Sequence, residues 1–198
     1  MNIFALSSGN GPCGIAIIRI SGKNIYDICK SITKMREIKS GIINLCKFYD
    51  PKNNKIIDPE GILLWFPKPD SFTGLDLAEF HVHGSNAVIN YILRVLSEQK
   101  DCRLAEPGEF TKLAFENNKI DLLKAESIGD LIHAETELQR EQAANLVNGH
   151  ASKYYEDLRL KLVKSLSFIE AKIDFGEDDL PENILHEAKK SIKIAYQD

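Results

Sequence analysis

The sequence predicts an α+β chain. A mixed strand-and-helix segment over residues 1–118 is followed, over residues 119–198, by long helices that make only part of an all-α bundle. Three observations predict this. Up to about Ala105, short apolar runs bounded by Gly, Pro and Asn turns alternate with helical patterns. From Ile120 the composition changes, with no proline between Pro107 and Pro181. The stripe Leu158, Leu162, Leu166, Ile169 and Ile173 keeps helical spacing, and long helices of this kind need a partner to cover it.

In chain order, Met1 to Ser8 reads as a strand and Ser8 to Gly14 as a glycine-rich loop. Ile15 to Ile20 reads as a second strand, closed by Ser21-Gly22. Asn24 to Thr33 fits a helix with Ile25, Ile28, Cys29 and Ile32 on one side. Gly41 to Tyr49 and Ile56 to Phe66 read as a hairpin around the turn PKNNK. The continuous apolar run Ile62 to Phe66 is expected to be buried on both faces. After a turn rich in Pro, Asp, Ser and Gly comes a strand from Asp76 to His83. The helix Asn86 to Leu96 follows, with Ser85 as its N-cap. Cys102 to Ala105 is a short strand, and Pro107 opens a helix to about Glu116 that Asn117-Asn118 breaks. Beyond Ile120 the pattern predicts roughly 50 helical residues, about 75 Å if straight, ended by acidic Gly176 to Glu182. A last amphipathic helix runs from about Glu182 to Tyr196.

Composition excludes some function classes. The chain has 198 residues, a net charge of −4, 43% hydrophobic and 27% charged residues. That balance argues against non-specific nucleic-acid binding by the whole chain, which needs a basic field. Cys13, Cys29, Cys46 and Cys102 form no CxxC, so they read as free thiols in a reducing compartment. No apolar run has membrane length and no signal-peptide pattern is present. The expected location is the cytoplasm, with no membrane association.

The densest polar cluster lies on the strand Asp76 to His83. Side chains alternate along a strand, so Glu79, His81 and His83 share a face with Leu77, opposite Asp76, Ala78, Phe80 and Val82. A core strand rarely carries a carboxylate and two imidazoles without a use for them. One use is a small metal-dependent hydrolase with Glu79, His81 and His83 as ligands. Arg19, inside an apolar strand, needs a carboxylate partner or an anionic ligand, and a structural ion pair with Glu79 is the plain alternative. Lys119 precedes Asp121, which suits the N-terminus of the following helix. The loop Ser8 to Gly14 precedes a strand and matches no GxxxxGK[ST] pattern, so it reads as a tight connection rather than a phosphate cradle.

Three stretches carry a family resemblance: IFALSSGNGPCGIAIIRISG, GILLWFPKPDSFTGLDLAEFHVHG and AEPGEFTKLAFENNKIDLLKAESIGDLIHAET, in that order over residues 3–136, continued by AKIDFGEDD. The chain resembles the N-terminal part of the MnmE (TrmE) family of tRNA-modifying GTPases. The resemblance implies a tetrahydrofolate-binding domain that also forms a homodimer, with the first part of a helical domain behind it. It implies folate contacts from Arg19, Glu79 and Lys119, the cofactor being a 5-formyl- or 5,10-methylene-tetrahydrofolate. It further implies a role in modifying the wobble uridine, U34, of tRNA, with an MnmG (GidA)-type FAD protein and tRNA as partners of the full-length family. A carboxylate such as Glu79 can accept the paired donors of a pterin ring. The G domain motifs and the cysteine-containing tail of that family do not occur in these 198 residues, so no GTP site and no GTP hydrolysis are expected of them. A stand-alone folate-dependent aminomethyltransferase is the alternative of the same domain type. Leu75 stands where the family usually has an acidic residue, and Val82 and Ser85 depart from its pattern. They are expected to alter the pocket wall.

Overall fold

Strands Asn2–Leu6 (β1), Cys13–Gly22 (β2), Asn44–Tyr49 (β3), Ile56–Phe66 (β4), Asp76–Gly84 (β5) and Cys102–Leu104 (β6) form a single sheet in the order β3-β4-β5-β2-β1-β6. All neighbours are antiparallel except β1 and β6. The structure is a computed structural model and describes residues 1–9, 11–175 and 184–197. It divides into two compact units, residues 1–120 and 121–198.

In the first unit, helices Ile25–Thr33 (α1) and Asn86–Ser97 (α2) supply Ile25, Ile28, Cys29, Ile32, Ile89, Ile92, Val95 and Leu96 to one core. The sheet meets them with alternate residues: Phe4 of β1, Ala16, Ile18 and Ile20 of β2, Leu63 and Trp65 of β4, Ala78, Phe80 and Val82 of β5. Phe48 and Phe80 pack with ring centroids 5.4 Å apart, and each such ring removed from water contributes roughly 1.5–3 kcal/mol. Ser85 caps α2 by accepting the Val88 N–H at 3.2 Å. Helix Glu109–Glu116 (α3) follows β6.

The run Ile62 to Phe66 is not buried on both faces. Leu63 and Trp65 are buried in the helical core, while Ile62, Leu64 and Phe66 are half-buried on the opposite face. No α1 or α2 side chain covers that opposite face, so the sheet behaves as a half-covered antiparallel layer. Val82 points into the core and Ser85 caps a helix, so neither side chain lies on the face of Glu79. Val82 nevertheless borders a cavity beside His81 and His83.

In the second unit, the helical segment of roughly 50 residues expected from sequence is divided into three helices: Leu122–His133 (α4), Glu137–Val147 (α5) and His150–Asp174 (α6). Two local stops cause this. Thr136 and Gln139 form a capping box that starts α5, and Gly149 takes φ +84° before α6. Asp121 does cap α4, accepting the Lys124 N–H at 2.7 Å. Helix Ile184–Gln197 (α7) packs on α6. The acidic stretch from Gly176 to Glu182 lies outside the described residues. Leu160, Leu162, Val163, Leu166, Ile169 and Ile173 of α6 are all exposed.

Candidate functional site

The sheet face turned away from α1 and α2 carries the polar cluster. Register pairs Arg19 of β2 with Glu79 of β5, and Ile62 of β4 with His81. The Arg19 Nε and Nη2 groups both donate to Glu79 Oε1, at 3.0 and 2.7 Å. The other oxygen, Oε2, lies 3.3 Å from His81 Nε2. Both members of the pair are part-buried, with side chains 28% and 15% exposed, so solvent still reaches the carboxylate. The Arg19 guanidinium also lies 5.7 Å from the ring centroids of both Phe72 and Phe110. Two aromatic rings and one carboxylate therefore fix it in place.

Phe72 belongs to the β4–β5 connection, residues 67–75, which is held on every side. Thr73 Oγ1 meets Ser21 Oγ of β2 at 2.6 Å, and Asn117 Nδ2 donates to the Thr73 carbonyl at 2.8 Å. Ser71 Oγ donates to the Leu75 carbonyl, closing the loop on itself. Lys119 Nζ donates to the Pro69 carbonyl at 2.9 Å. Gly74 takes φ +75°, and a Cβ there would stand 3.1 Å from both Asn117 Cβ and Lys119 Cγ. The lysine stem thus lies along the glycine, which has no side chain to hold it off.

The structure therefore brings Arg19 and Glu79 into direct contact and places Lys119 on the loop that carries Phe72. Phe72 and Phe110 are site residues that sequence reasoning passes over, because a loop aromatic and a helix aromatic give no signal of meeting over the same arginine.

The two histidines separate. His81 turns to Glu79. His83 Nδ1 lies 2.9 and 3.1 Å from the two oxygens of Asp58 on β4. Asp58 is buried, and it also accepts the backbone N–H groups of His83 at 2.7 Å and Glu60 at 3.2 Å. Glu79–His81 and Asp58–His83 are thus two carboxylate–imidazole pairs, and Glu79, His81 and His83 do not form one ligand set. Among the described residues no group of three or more His, Cys, Asp or Glu is placed to hold a metal ion. Beside these pairs lies a cavity of about 590 Å³ with Ile15, Leu45 and Ile62 as apolar wall and Lys47, His81 and His83 among its polar groups. Cys46 borders it as well, its thiol pushed up to about 11 by burial and, less, by the charge of Asp58.

Comparison with known proteins gives two family matches. The family described as GTP-binding protein TrmE N-terminus matches residues 2–119, and the MnmE helical domain matches residues 122–198. A tRNA modification GTPase MnmE from Pelagibacter ubique is 54% identical over 96% of this chain and 43% of its own length. The tRNA modification GTPase gtpbp3, mitochondrial, of Dictyostelium discoideum is 41% identical over 96% of this chain and 38% of its own. The human mitochondrial 5-taurinomethyluridine-[tRNA] synthase subunit GTPB3 is 44% identical over 96% of this chain and 39% of its own. The chain spans about two fifths of the length of these curated relatives.

Proposed function

The chain belongs to the TrmE/MnmE family, and on that footing we propose that residues 1–119 bind a reduced folate through Arg19, Glu79 and Lys119. The observation that carries this is the Arg19–Glu79 pair set between Phe72 and Phe110. A carboxylate offers about four acceptor positions. Arg19 occupies those of Oε1, and Oε2 meets only the long 3.3 Å approach of His81. Oε2 therefore keeps capacity for the ring N–H and amino donors of a pterin. Phe72 and Phe110 supply flat apolar surface beside it, and Lys119 supplies a cation for a carbonyl or carboxylate oxygen. The residues fit a folate of the 5-formyl or 5,10-methylene type, which when bound supplies a one-carbon unit.

We propose further that this unit is used in an aminomethyl-type modification of the wobble uridine, U34, of tRNA. The human relative is named for a taurinomethyluridine product, which supports an amine joined through a methylene to uridine. In this reading residues 1–119 also form a homodimer, and a full-length protein works with tRNA and an MnmG-type FAD protein. All four cysteines are free, which suits the reducing cytoplasm. No described helix is long and apolar enough to cross a membrane. The division of Glu79, His81 and His83 between two pairs speaks against the metal-hydrolase alternative, and family membership speaks against a stand-alone aminomethyltransferase.

Calorimetry with 5-formyltetrahydrofolate and, separately, with GTP tests the reading. Saturable folate binding with no GTP binding is expected. Failure to bind folate, or saturable GTP binding by these residues, overturns it.

A further inference from the structure

Two imidazoles stand two residues apart on β5, each with one ring nitrogen tied to a different carboxylate. The two pairs differ in a way that assigns different work to them. His81 uses Nε2 on Glu79 at 3.3 Å, and Glu79 is already held by Arg19. His83 uses Nδ1 on Asp58 at 2.9 Å, while its side chain is 61% exposed and that of Asp58 only 1%. Both Asp58 oxygens act as acceptors, Oδ1 from the Glu60 N–H and Oδ2 from the His83 N–H. The carboxylate therefore faces His83 as an acceptor, and the proton of the neutral imidazole belongs on Nδ1. That leaves the lone pair on Nε2. His83 borders the cavity of about 590 Å³ that it shares with His81, and His81 touches Glu79. Other ionisable groups at this cavity are Lys47 and Cys46 of β3 and Glu60 of β4.

We propose that His83 Nε2 is the proton acceptor of this face, that Asp58 is its positioning residue, and that the group it deprotonates is a protonated primary amine entering the cavity. The assignment rests on the folate reading above, in which an amine nitrogen joins a one-carbon unit. An aliphatic ammonium, with an ordinary pKa near 10, has no lone pair at neutral pH. It must lose a proton before its nitrogen can attack. In the step, one N–H bond of the ammonium breaks and its electron pair stays on nitrogen. A new Nε2–H bond forms on His83, and the positive charge passes to the imidazolium. The buried Asp58 carboxylate then faces that charge directly, as a carboxylate behind a general-base histidine does in hydrolytic triads. Burying a carboxylate is costly unless it is paired. A purely structural Asp58 would need only its two backbone N–H donors, and the geometry adds the imidazole.

The test uses the full chain and needs no turnover. Long-range proton–nitrogen NMR on histidine-labelled protein reports the tautomer of His83, expected as Nδ1–H. Diethyl pyrocarbonate acylates a free imidazole nitrogen, and mass spectrometry gives the rate at each histidine. His133 is the internal control, since its Nδ1 is tied to the Gly129 carbonyl at 2.8 Å rather than to a carboxylate. His83 is expected to react roughly 5- to 10-fold faster than His133, to fall to the His133 rate in Asp58→Asn, and to be shielded about 10-fold by saturating 5-formyltetrahydrofolate. The wild-type comparison stands even if Asp58→Asn fails to fold. An Nε2–H tautomer, or a wild-type rate equal to that of His133, overturns the proposal. So does full reactivity while calorimetry shows folate bound. If calorimetry shows no folate binding, the folate reading fails instead, and the proton-acceptor role is then decided by tautomer and rate alone.

Discussion

Arg19 and Glu79 lie directly opposite each other on neighbouring antiparallel strands, and two N–H groups of the arginine converge on one oxygen of the glutamate, at 3.0 and 2.7 Å. The second oxygen meets only the 3.3 Å approach of His81 Nε2. Glu79→Gln keeps the shape but turns one oxygen into an NH₂ donor. If a ligand donates to this position, a charge-assisted bond is lost and two donors face each other, at a cost of about 1.5–3 kcal/mol. We predict roughly a 10- to 150-fold loss of 5-formyltetrahydrofolate affinity by calorimetry. Unchanged affinity in a folded variant removes Glu79 from the site.

Gly74 is where the loop and Lys119 touch. Its φ of +75° is strained for any side chain, and the 3.1 Å approaches mean that Asn117 or Lys119 must give by a few tenths of an ångström to admit a methyl group. Gly74→Ala is predicted to destabilise the first unit by about 1–3 kcal/mol and to weaken folate binding by displacing Lys119. Urea unfolding and calorimetry on the same variant read the two effects. A stable variant with intact affinity shows that the lysine contact is incidental.

Asp50 sits at the end of β3, where it accepts the Lys52 N–H at 2.8 Å, the Asn53 side chain at 2.9 Å and the Tyr91 hydroxyl of α2 at 3.0 Å. The Lys52 N–H chiefly, with Tyr91 and Asn53 adding to it against the opposing effect of burial, holds its carboxyl below the usual range. A carboxyl depressed in the folded state stabilises above its unfolded pKa, about 3.9, and that contribution is lost as pH falls through the lower folded value. Asp50→Asn is therefore predicted to lower the urea midpoint at pH 6 and to matter less near pH 3. A gap of equal size at both pH values contradicts this.

Much of this arrangement is legible from residues alone, and the limits are physical. Period-two alternation places Glu79, His81 and His83 on one face, because side-chain direction in a strand is local. The pairing of Arg19 with Glu79 joins positions 60 residues apart, and register over that distance is set by the packed core rather than by the strand's own sequence. Asp58 carries no local sign that it will be buried beneath His83. The two breaks after α4 and α5 do have local signals, T-x-x-Q at Thr136 and Gly149. Helical spacing of apolar residues continues across both, so periodicity alone reads through them.

The exposed residues of α6 bear on local stability. Leu162, Leu166 and Ile169 bury little here, whereas Ile18, Ile20 and Leu63 are fully enclosed. We predict faster amide hydrogen exchange in α4, α5 and α6 than in β2 and β4, since local opening follows the apolar contact that must be given up. A chain truncated after Asn118 is predicted to be a dimer by light scattering. Equal protection throughout, or a monomeric truncated chain, assigns the holding role to the helices.

The strand order has a consequence for synthesis. β2 is made early, yet its neighbour on one side, β5, begins only at Asp76. A nascent chain of 70 residues therefore carries Arg19 while its carboxylate partner, Glu79, has yet to be made. Lys119, which fastens the loop over the pair, emerges 40 residues after Glu79. The Arg19–Glu79 pair and the loop fastened by Lys119 are thus among the last features of the first unit to be completed. Any folate captured during translation would act late, on an almost complete sheet, sealing it rather than seeding it.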